Sequence, residues 1–221
     1  MDIKAIAVLG ANGRTGIEIV KQALEKGWVV KALVRDKQKI KLANPNLQVI
    51  EGNPMRIDDV RKVIKETHAI FVALNIGRKS DLPWAKVTSP LDLLYTSMKN
   101  IIFAMNENGV KRVITVSAWG TGDSYKETNW IFKFLIKKTN VGVAYAGHED
   151  QERVLRTSGL KWTSVRPVGL SSSEKQKQVR VSIKGDKKLN MTISRKDVAR
   201  FMLDIVDDEK YYQQELSISS E

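Results

Sequence analysis

A turn with three glycines, Gly10, Gly13 and Gly16, constrains the fold of this chain more than any other feature. It separates a continuous apolar run at residues 4–9, typical of a strand buried on both faces, from helix-like spacing of apolar residues at 17–24. Glycine there lets the chain bend sharply, approach a pyrophosphate closely and pack the helix against the sheet. Because a helix N-terminus also attracts phosphate, the turn predicts a dinucleotide-binding site. The expected contacts in the turn are Gly10, Asn12, Gly13, Arg14, Thr15 and Gly16.

Strand-like and helix-like segments alternate along most of the chain. The predicted strands are residues 4–9, 29–34, 47–50, 69–74, 110–116 and 162–165. The predicted helices are residues 17–27, 58–66, 91–108, 149–157 and 195–206. This alternation predicts an α/β fold, a single Rossmann-type doubly wound parallel sheet with helices on both faces, formed by one domain over residues 1–221.

The last forty residues depart from this alternation. Residues 179–183 and 189–193 flank Gly185-Asp186, a pattern that predicts a hairpin. Residues 215–218 are predicted as a final edge strand.

The second predicted strand leads into Arg35, nineteen positions after Gly16. In a dinucleotide fold an acid at this place binds the ribose 2′-hydroxyl, whereas a base accepts a 2′-phosphate. Arg35, with Arg14 and Lys39 nearby, therefore predicts NADP(H) in preference to NAD(H). The alternative is that Asp36, and not Arg35, points into the site, which would reverse the preference.

Small or polar residues follow each remaining parallel strand, at the sheet edge where ligands bind. We expect residues 51–54 to flank the adenine, 75–78 to lie beside the middle of the cofactor, and 117–120 and 166–169 to border the nicotinamide. The further cofactor contacts predicted here are Lys39, Asn53, Pro54, Leu74, Asn75, Gly77, Arg78, Ser117, Pro167 and Val168. The alternative for any one of these segments is an ordinary loop.

Several motifs together resemble one protein family. They are the turn 10–16 and the segments 33–36, 110–118, 152–167 and 193–202. These segments resemble the atypical short-chain dehydrogenases/reductases that bind NAD(P)H, including NmrA-like proteins and the biliverdin IXβ (flavin) reductases. The resemblance covers nearly the whole chain and is weakest over 121–144. It implies a Rossmann fold and a nicotinamide cofactor.

The acid–base pair of ordinary short-chain dehydrogenases, Tyr-x-x-x-Lys, is absent. Ala144 and His148 occupy its two positions, and Tyr145 is out of register. Hydride transfer to a flavin or a conjugated tetrapyrrole needs less help from the protein, because the acceptor is already electrophilic and water can supply the proton. The sequence therefore disfavours alcohol or sugar dehydrogenation and allows reduction of such an acceptor.

Two residues are candidates for catalysis. Ser117 is placed to hydrogen-bond the nicotinamide or the acceptor, or else it only closes the fifth strand. His148 matches a histidine near the active site of the flavin reductases, and a near-neutral pKa would suit a proton donor or substrate contact. The alternative is a surface histidine at a helix start. A second family histidine is replaced by Val168 here.

Residues 121–144 are predicted to cover the substrate or to form an interface. Trp130, Phe132 and Phe134 lie close to Lys137 and Lys138, a combination suited to a flat anionic acceptor. The alternative is an amphipathic helix packed on the domain or on a second subunit. The candidate acceptor contacts are Trp119, Trp130 and Tyr145.

Composition narrows the function classes. The chain has no cysteine and only two histidines, which excludes disulfides and thiolate metal centres and predicts no metal site. Its apolar runs are too short for a membrane span. The net charge of +12 comes from scattered lysines without a nucleic-acid motif, so nucleic acid is an improbable partner. We expect a cytoplasmic protein, monomeric or homodimeric.

Two functions fit the sequence. The first is an NADPH-dependent reductase acting on a small planar acceptor such as a flavin, a quinone or a bilin. The second is a sensor, regulator or assembly factor that binds NADP(H) without chemistry. Fold does not decide between them.

Overall fold

The computed structural model describes residues 4–221, so the first three residues of the predicted 1–221 domain lie outside it. The strands are β1 (Ala5–Leu9), β2 (Val29–Val34), β3 (Leu47–Glu51), β4 (Ala69–Val72), β5 (Arg112–Val116), β6 (Lys161–Pro167), β7 (Gly169–Ser171), β8 (Val179–Ile183), β9 (Thr192–Ser194) and β10 (Gln214–Ser220). The helices are α1 (Gly16–Glu25), α2 (Ile57–Ile64), α3 (Leu93–Glu107), α4 (Trp130–Lys138), α5 (Val141–Arg156) and α6 (Arg195–Asp204).

Eight of the described strands form one twisted layer in the order β3-β2-β1-β4-β5-β6-β10-β8. All neighbouring pairs are parallel except β10 and β8, which are antiparallel. The strand order reverses between β1 and β4, which creates the switch point where ligands bind in such sheets. The predicted Rossmann-type α/β fold is confirmed, with one antiparallel edge strand added.

Helices α1 and α6 cover one face of the sheet and α2, α3 and α5 the other, because each of these five presents an apolar stripe to it. Ile19 of α1 and Val198 of α6 belong to the core on one face. Val60 of α2, Met98 of α3 and Leu155 of α5 belong to the core on the other face. This arrangement confirms the doubly wound architecture.

The hairpin predicted for 179–183 and 189–193 is wrong. The turn is present, since Ile183 N–H donates to Asp186 Oδ1 at 2.8 Å, but β8 pairs with β10. Asn190 donates its backbone N–H to Ser219 Oγ and its side-chain amide to Ser220 O, which carries the chain past the end of β10. Beyond that point β9 pairs in parallel with β7 in a separate two-stranded sheet.

The prediction of 215–218 as an edge strand is also wrong in position. β10 lies inside the sheet, paired with β6 on one side and β8 on the other. Its residues alternate between aliphatic side chains such as Leu216 and Ile218 and small serines such as Ser217 and Ser219, all of them buried. Short polar side chains at every second position made a buried strand look like one with a solvated face.

Helix α5 begins eight residues earlier than the predicted start at 149. Its first half contains Gly142 and Gly147, which lower helix propensity and hide the element from a pattern search. Gly147 has a packing reason, because a Cβ there would lie 3.3 Å from the side chains of Ile76 and Leu94. The helix therefore brings His148 to its middle instead of its start.

Candidate active site

A cavity of about 780 Å³ lies at the carboxyl ends of β1 to β6, where the topology places a ligand site. Its walls come from the glycine turn and from the segment that follows each of the other strands. The predicted site residues that line it are Gly10, Asn12, Gly13, Arg14, Thr15, Arg35, Asn53, Pro54, Leu74, Asn75, Gly77, Arg78, Ser117, Trp119, Tyr145, His148, Pro167 and Val168. The predicted residues Gly16, Lys39 and Trp130 do not line it.

The glycine turn is built by backbone contacts that no side chain could replace. Gly10 has φ +82°, and a Cβ there would lie 2.5 Å from the carbonyl oxygen of Ala73. A Cβ on Gly16 would lie 2.1 Å from the Gly10 oxygen. Gly16 therefore serves the close packing of α1 against β1, and Gly10 and Gly13 form the cavity wall.

Arg35 and Asp36 directly follow β2, and they are the two candidates for contact with the 2′-position of the adenosine ribose. Arg35 is exposed and lines the cavity. Asp36 turns away, because its Oδ1 accepts the backbone N–H of Gln38 at 3.0 Å and caps a short 3₁₀ turn. Lys39 follows it, 3.9 Å from the Asp36 carboxylate. Lys39 is the last residue of this short turn and does not line the cavity, where its contact with the cofactor was predicted.

The loop after β3 is held by a residue that the sequence analysis missed. Asp59 of α2 accepts the backbone N–H of Asn53 at 3.1 Å, and this hydrogen bond is the main cause of the lowered pKa of Asp59. Pro54 O accepts from Asn100 Nδ2 at 3.1 Å. Gly52 is required because a Cβ would meet Asp59 Cβ at 2.8 Å. These contacts fix the part of the wall predicted to flank an adenine.

Residues 77–88, after β4, form a narrow ribbon over one side of the cavity. Lys79 N–H donates to Lys86 O and Thr88 N–H to Gly77 O, at 2.9 and 2.8 Å. Arg78 Nη1 donates to Leu82 O at 2.8 Å and ties the tip of the ribbon to its base.

The tip of this 77–88 ribbon holds the side chain of Arg14. The Arg14 guanidinium makes two hydrogen bonds of 2.8 Å to the Asp81 carboxylate. This contact lowers the pKa of Asp81 and raises that of Arg14. Arg14 was expected to join Arg35 at a 2′-phosphate, but the ion pair holds it toward the ribbon instead.

The two predicted catalytic residues line the same cavity, in its buried part. Ser117 follows β5, and His148 lies on α5; both are buried. Among residues 4–221, His148 Nδ1 has no hydrogen-bond partner, and Ser117 Oγ has none of ordinary geometry, although it lies close enough to Glu152 to help lower the pKa of that carboxyl. Buried polar atoms are rarely left unpaired, so two such atoms lining one cavity point to a ligand that would pair with them.

The alternative of a surface histidine is wrong, and so is the expected near-neutral pKa. Burial lowers the pKa of His148 to about 4, with the Glu152 charge opposing the shift. The imidazole is therefore neutral at physiological pH, able to hydrogen-bond but not to serve as a charged acid.

Beneath this pair lies a buried ion pair between α5 and β6. Arg166 donates from Nε and Nη2 to the two Glu152 oxygens at 2.9 and 2.7 Å, and Ser164 Oγ donates to Glu152 Oε1 at 2.7 Å. Burial alone would raise the pKa of Glu152, but the charge and hydrogen bonds of Arg166, with hydrogen bonds from Ser164 and Ser117, hold the pKa below its ordinary value. Because Glu152 is one helical turn from His148, the pair fixes that stretch of α5 against the sheet.

Aromatic side chains form the wall beside His148. Trp119 packs on Phe132 with ring centroids 5.7 Å apart and donates from Nε1 to Glu127 at 3.2 Å. Tyr145 donates its hydroxyl to Trp119 O at 3.2 Å. Burial raises the pKa of Tyr145 to about 12, so the phenol stays protonated and does not replace the missing catalytic tyrosine.

Helix α4 only partly fulfils the prediction for residues 121–144. Phe132 lines the cavity, whereas Trp130 is 78% exposed and Phe134 51% exposed on the outer surface. The prediction for Trp130 therefore fails, because Asn129 caps the helix at Phe132 N–H and the first residue of α4 points outward.

Within 4–221, no three His, Asp or Glu side chains come together as a metal-binding group. No helix of the described chain is both long and apolar enough to cross a membrane.

Comparison with known families and proteins fits this geometry. A family model described as NAD(P)H-binding matches residues 10–209. An uncharacterized chloroplastic protein of Arabidopsis thaliana is 29% identical over 178 residues, which are 76% of this chain and 60% of that protein. The chain thus spans less than two thirds of the length of that relative.

Two solved structures share the fold. The anaerobilin reductase ChuY of Escherichia coli O157:H7 is 21% identical, with a TM-score of 0.80 and coverage of 98% of this chain and 97% of that one. A short-chain dehydrogenase/reductase of Veillonella parvula in complex with NADP is 18% identical, with a TM-score of 0.75 and coverage of 99% and 95%.

Proposed function

Because this chain belongs to the family of NAD(P)H-binding proteins, we propose that it is an NADPH-dependent reductase that transfers a hydride to a planar acceptor, such as a flavin, a quinone or a bilin. The observation that carries the proposal is the deep end of the cavity. There, among the described residues, His148 Nδ1 is buried without a hydrogen-bond partner and Ser117 Oγ without one of ordinary geometry, and Trp119, Phe132 and Tyr145 line the same cavity.

The residues present fit a nicotinamide dinucleotide along the cavity. The turn with Gly10 and Gly13 lines the cavity directly before the N-terminus of α1, where backbone N–H groups would hold the pyrophosphate. Asn53 and Pro54 would flank the adenine. Ser117 would hydrogen-bond the nicotinamide end.

The preference for NADPH over NADH rests on the end of β2. Arg35 lines the cavity with its guanidinium free of ion pairs among the described residues. Asp36, whose carboxylate would favour a free ribose, is occupied as the cap of the following turn. A guanidinium offers paired donors to a 2′-phosphate, which supports NADP(H).

The bound cofactor would supply a hydride, two electrons with one proton, and water would supply the second proton that completes reduction of the acceptor. The chain's own groups then serve mainly to bind and orient. The neutral His148 and the protonated Tyr145 can hydrogen-bond an acceptor, and Trp119 and Phe132 can exclude water from one face of it. An acceptor that is already electrophilic suits a site without Tyr-x-x-x-Lys.

The test is NADPH oxidation, followed at the absorption band of the reduced nicotinamide, with FMN, riboflavin, a quinone and a bilin offered in turn. Turnover on one of these acceptors is expected. The proposal is contradicted if NADPH binds but no planar acceptor is reduced.

That contradicting result would favour the second function, an NADP(H)-binding sensor, regulator or assembly factor without chemistry. The observation on its side is the exposed apolar surface of α4, where Trp130 and Phe134 offer contacts to a protein partner. A cytoplasmic location and a monomeric or homodimeric state also remain predictions.

A further inference from the structure

The positively charged residues that line the cavity are all arginines. The charged lining residues are four arginines and a single aspartate: Arg14, Arg35, Arg78, Arg195 and Asp81. No lysine or glutamate is among the described lining residues, although lysines are scattered over the rest of the chain. Because arginine binds carboxylates and phosphates through paired donors, this selection indicates recognition of anions and not only a general positive charge.

The arginines stand on two sides of the glycine turn. Arg35 follows β2, on the side of β1 assigned above to the adenine end. Arg195 begins α6 directly after β9, which pairs with β7 at the end of β6. Because β7 directly follows β6 and α6 packs against α1, Arg195 lies beside the glycine turn and not at the 2′-phosphate position beyond β2.

Arg195 lines the same cavity as Arg14 and is oriented by a hydrogen bond. Its Nη1 donates to Ser172 Oγ at 3.1 Å, and its side chain is half-buried. Partial burial lowers the pKa of Arg195, and repulsion from Arg14 lowers it further, while Asp81 opposes both effects. Two like charges at one rim repel each other unless an anion lies with them.

Asp81 is the anion that the chain itself supplies. It is exposed, yet both of its oxygens bind Arg14 at 2.8 Å, and its position is set by the 77–88 ribbon. The ribbon is anchored from below, since Asn140 Nδ2 donates to Trp84 O and Ala85 O. Because exposed ion pairs contribute little free energy, a second anion can displace Asp81 from the exposed Arg14 guanidinium at small cost.

We propose that Arg14 and Arg195 form a subsite for a carboxylate or phosphate carried by the planar acceptor, and that Asp81 is its built-in, displaceable counter-ion. This inference rests on the proposed function and narrows its substrate class to anionic acceptors. The phosphate of FMN and the carboxylates of a bilin are two sources of the same chemistry.

The test measures binding to the NADP⁺-loaded protein, so that it does not depend on turnover. Two matched pairs separate the anion from the ring: FMN against riboflavin, and biliverdin against its dimethyl ester. We expect the wild type to prefer the anionic member of at least one pair, and Arg195→Met to weaken that member about tenfold while changing the neutral member less than about twofold. Asp81→Asn should strengthen the anionic member several-fold.

Lys196→Met is the matched control, since Lys196 is adjacent, loses the same charge, pairs with Glu174 on the surface and does not line the cavity. Equal weakening of both members of a pair would mean that Arg195 acts through packing. Weakened NADP⁺ binding would assign Arg195 to the cofactor. Either result overturns the subsite. So does a wild type that shows no preference for anions, or one that binds none of the four probes. Preference for the anion without reduction would keep the subsite and refute the reductase.

Discussion

The two ends of the cavity are built in different ways. The cofactor end is made of backbone: Gly10, Gly13 and Gly16 approach neighbouring carbonyl groups so closely that a Cβ has no room at Gly10 or Gly16. The acceptor end is made of side chains from distant segments, with Glu152 and Arg166 buried beneath Ser117 and His148. A local backbone device is visible in sequence, whereas an assembly of distant side chains is not.

The largest expected effect breaks the acceptor end. Glu152→Ala leaves the buried Arg166 with fewer partners and should lower the free energy of unfolding by about 3 kcal/mol. Urea denaturation measures it. Glu107→Ala removes an exposed carboxylate that pairs with Arg61, and should leave the denaturation midpoint almost unchanged. Similar losses from both variants would refute the importance of burial.

A comparable change breaks the cofactor end. Gly10→Ala should lower stability by about 2–3 kcal/mol and weaken NADPH binding more than tenfold, because the Cβ meets the Ala73 oxygen at a positive φ. Gly27→Ala is the control: its φ is +74°, but no atom lies within 4 Å of the added Cβ. It should cost about 1–2 kcal/mol of backbone strain and leave NADPH affinity unchanged. Denaturation and cofactor-fluorescence titration measure the two variants.

The pH dependence of stability sharpens the comparison at His148. Its pKa is about 4 in the folded chain and near the ordinary 6.5 when unfolded, so the unfolded state takes up the proton first as pH falls. The stabilisation that comes from keeping His148 neutral is complete above its pKa in the unfolded state. It is lost as pH falls toward the pKa in the folded state, by about 2 kcal/mol between about pH 7 and pH 5. His148→Gln should flatten this part of the stability profile. An unchanged profile would mean that His148 is solvated.

The smallest expected effect concerns the 2′-phosphate. Arg35→Ala should weaken NADPH binding about tenfold, equivalent to about 1.4 kcal/mol, and change NADH binding little. Isothermal titration with both cofactors measures the preference. Lys39→Ala, placed beyond the Asp36 cap, should have no such effect. Equal losses with NADPH and NADH would remove Arg35 from the 2′-position.

Much of the fold follows from local pattern, because buried parallel strands and amphipathic helices have distinct periods. The glycine turn, β1 to β6 and the cavity at their carboxyl ends were all predictable. The tail was not, since the serines of β10 look solvated and the partner of β8 is decided by distant contacts of Asn190.

The candidate site was predictable where its residues directly follow strands. Asp81 and Arg195 were missed because they lie outside that pattern, on the 77–88 ribbon and at the start of α6. The burial of His148 was missed because Gly142 and Gly147 conceal the first half of α5. Gly142 and Gly147 inside an otherwise helical segment are the signal that would have suggested close packing of this helix.

A single-turnover experiment under anaerobic conditions tests the reductase directly. Protein loaded with NADPH is mixed with FMN, and the nicotinamide and flavin absorption bands are followed together. We expect both bands to decay with the same rate constant and in equal molar amounts, because one hydride leaves the nicotinamide for each flavin reduced. The reductase proposal would be contradicted if NADPH stayed stable beside oxidised flavin. It would equally be contradicted if NADPH stayed stable beside any other planar acceptor that the protein binds.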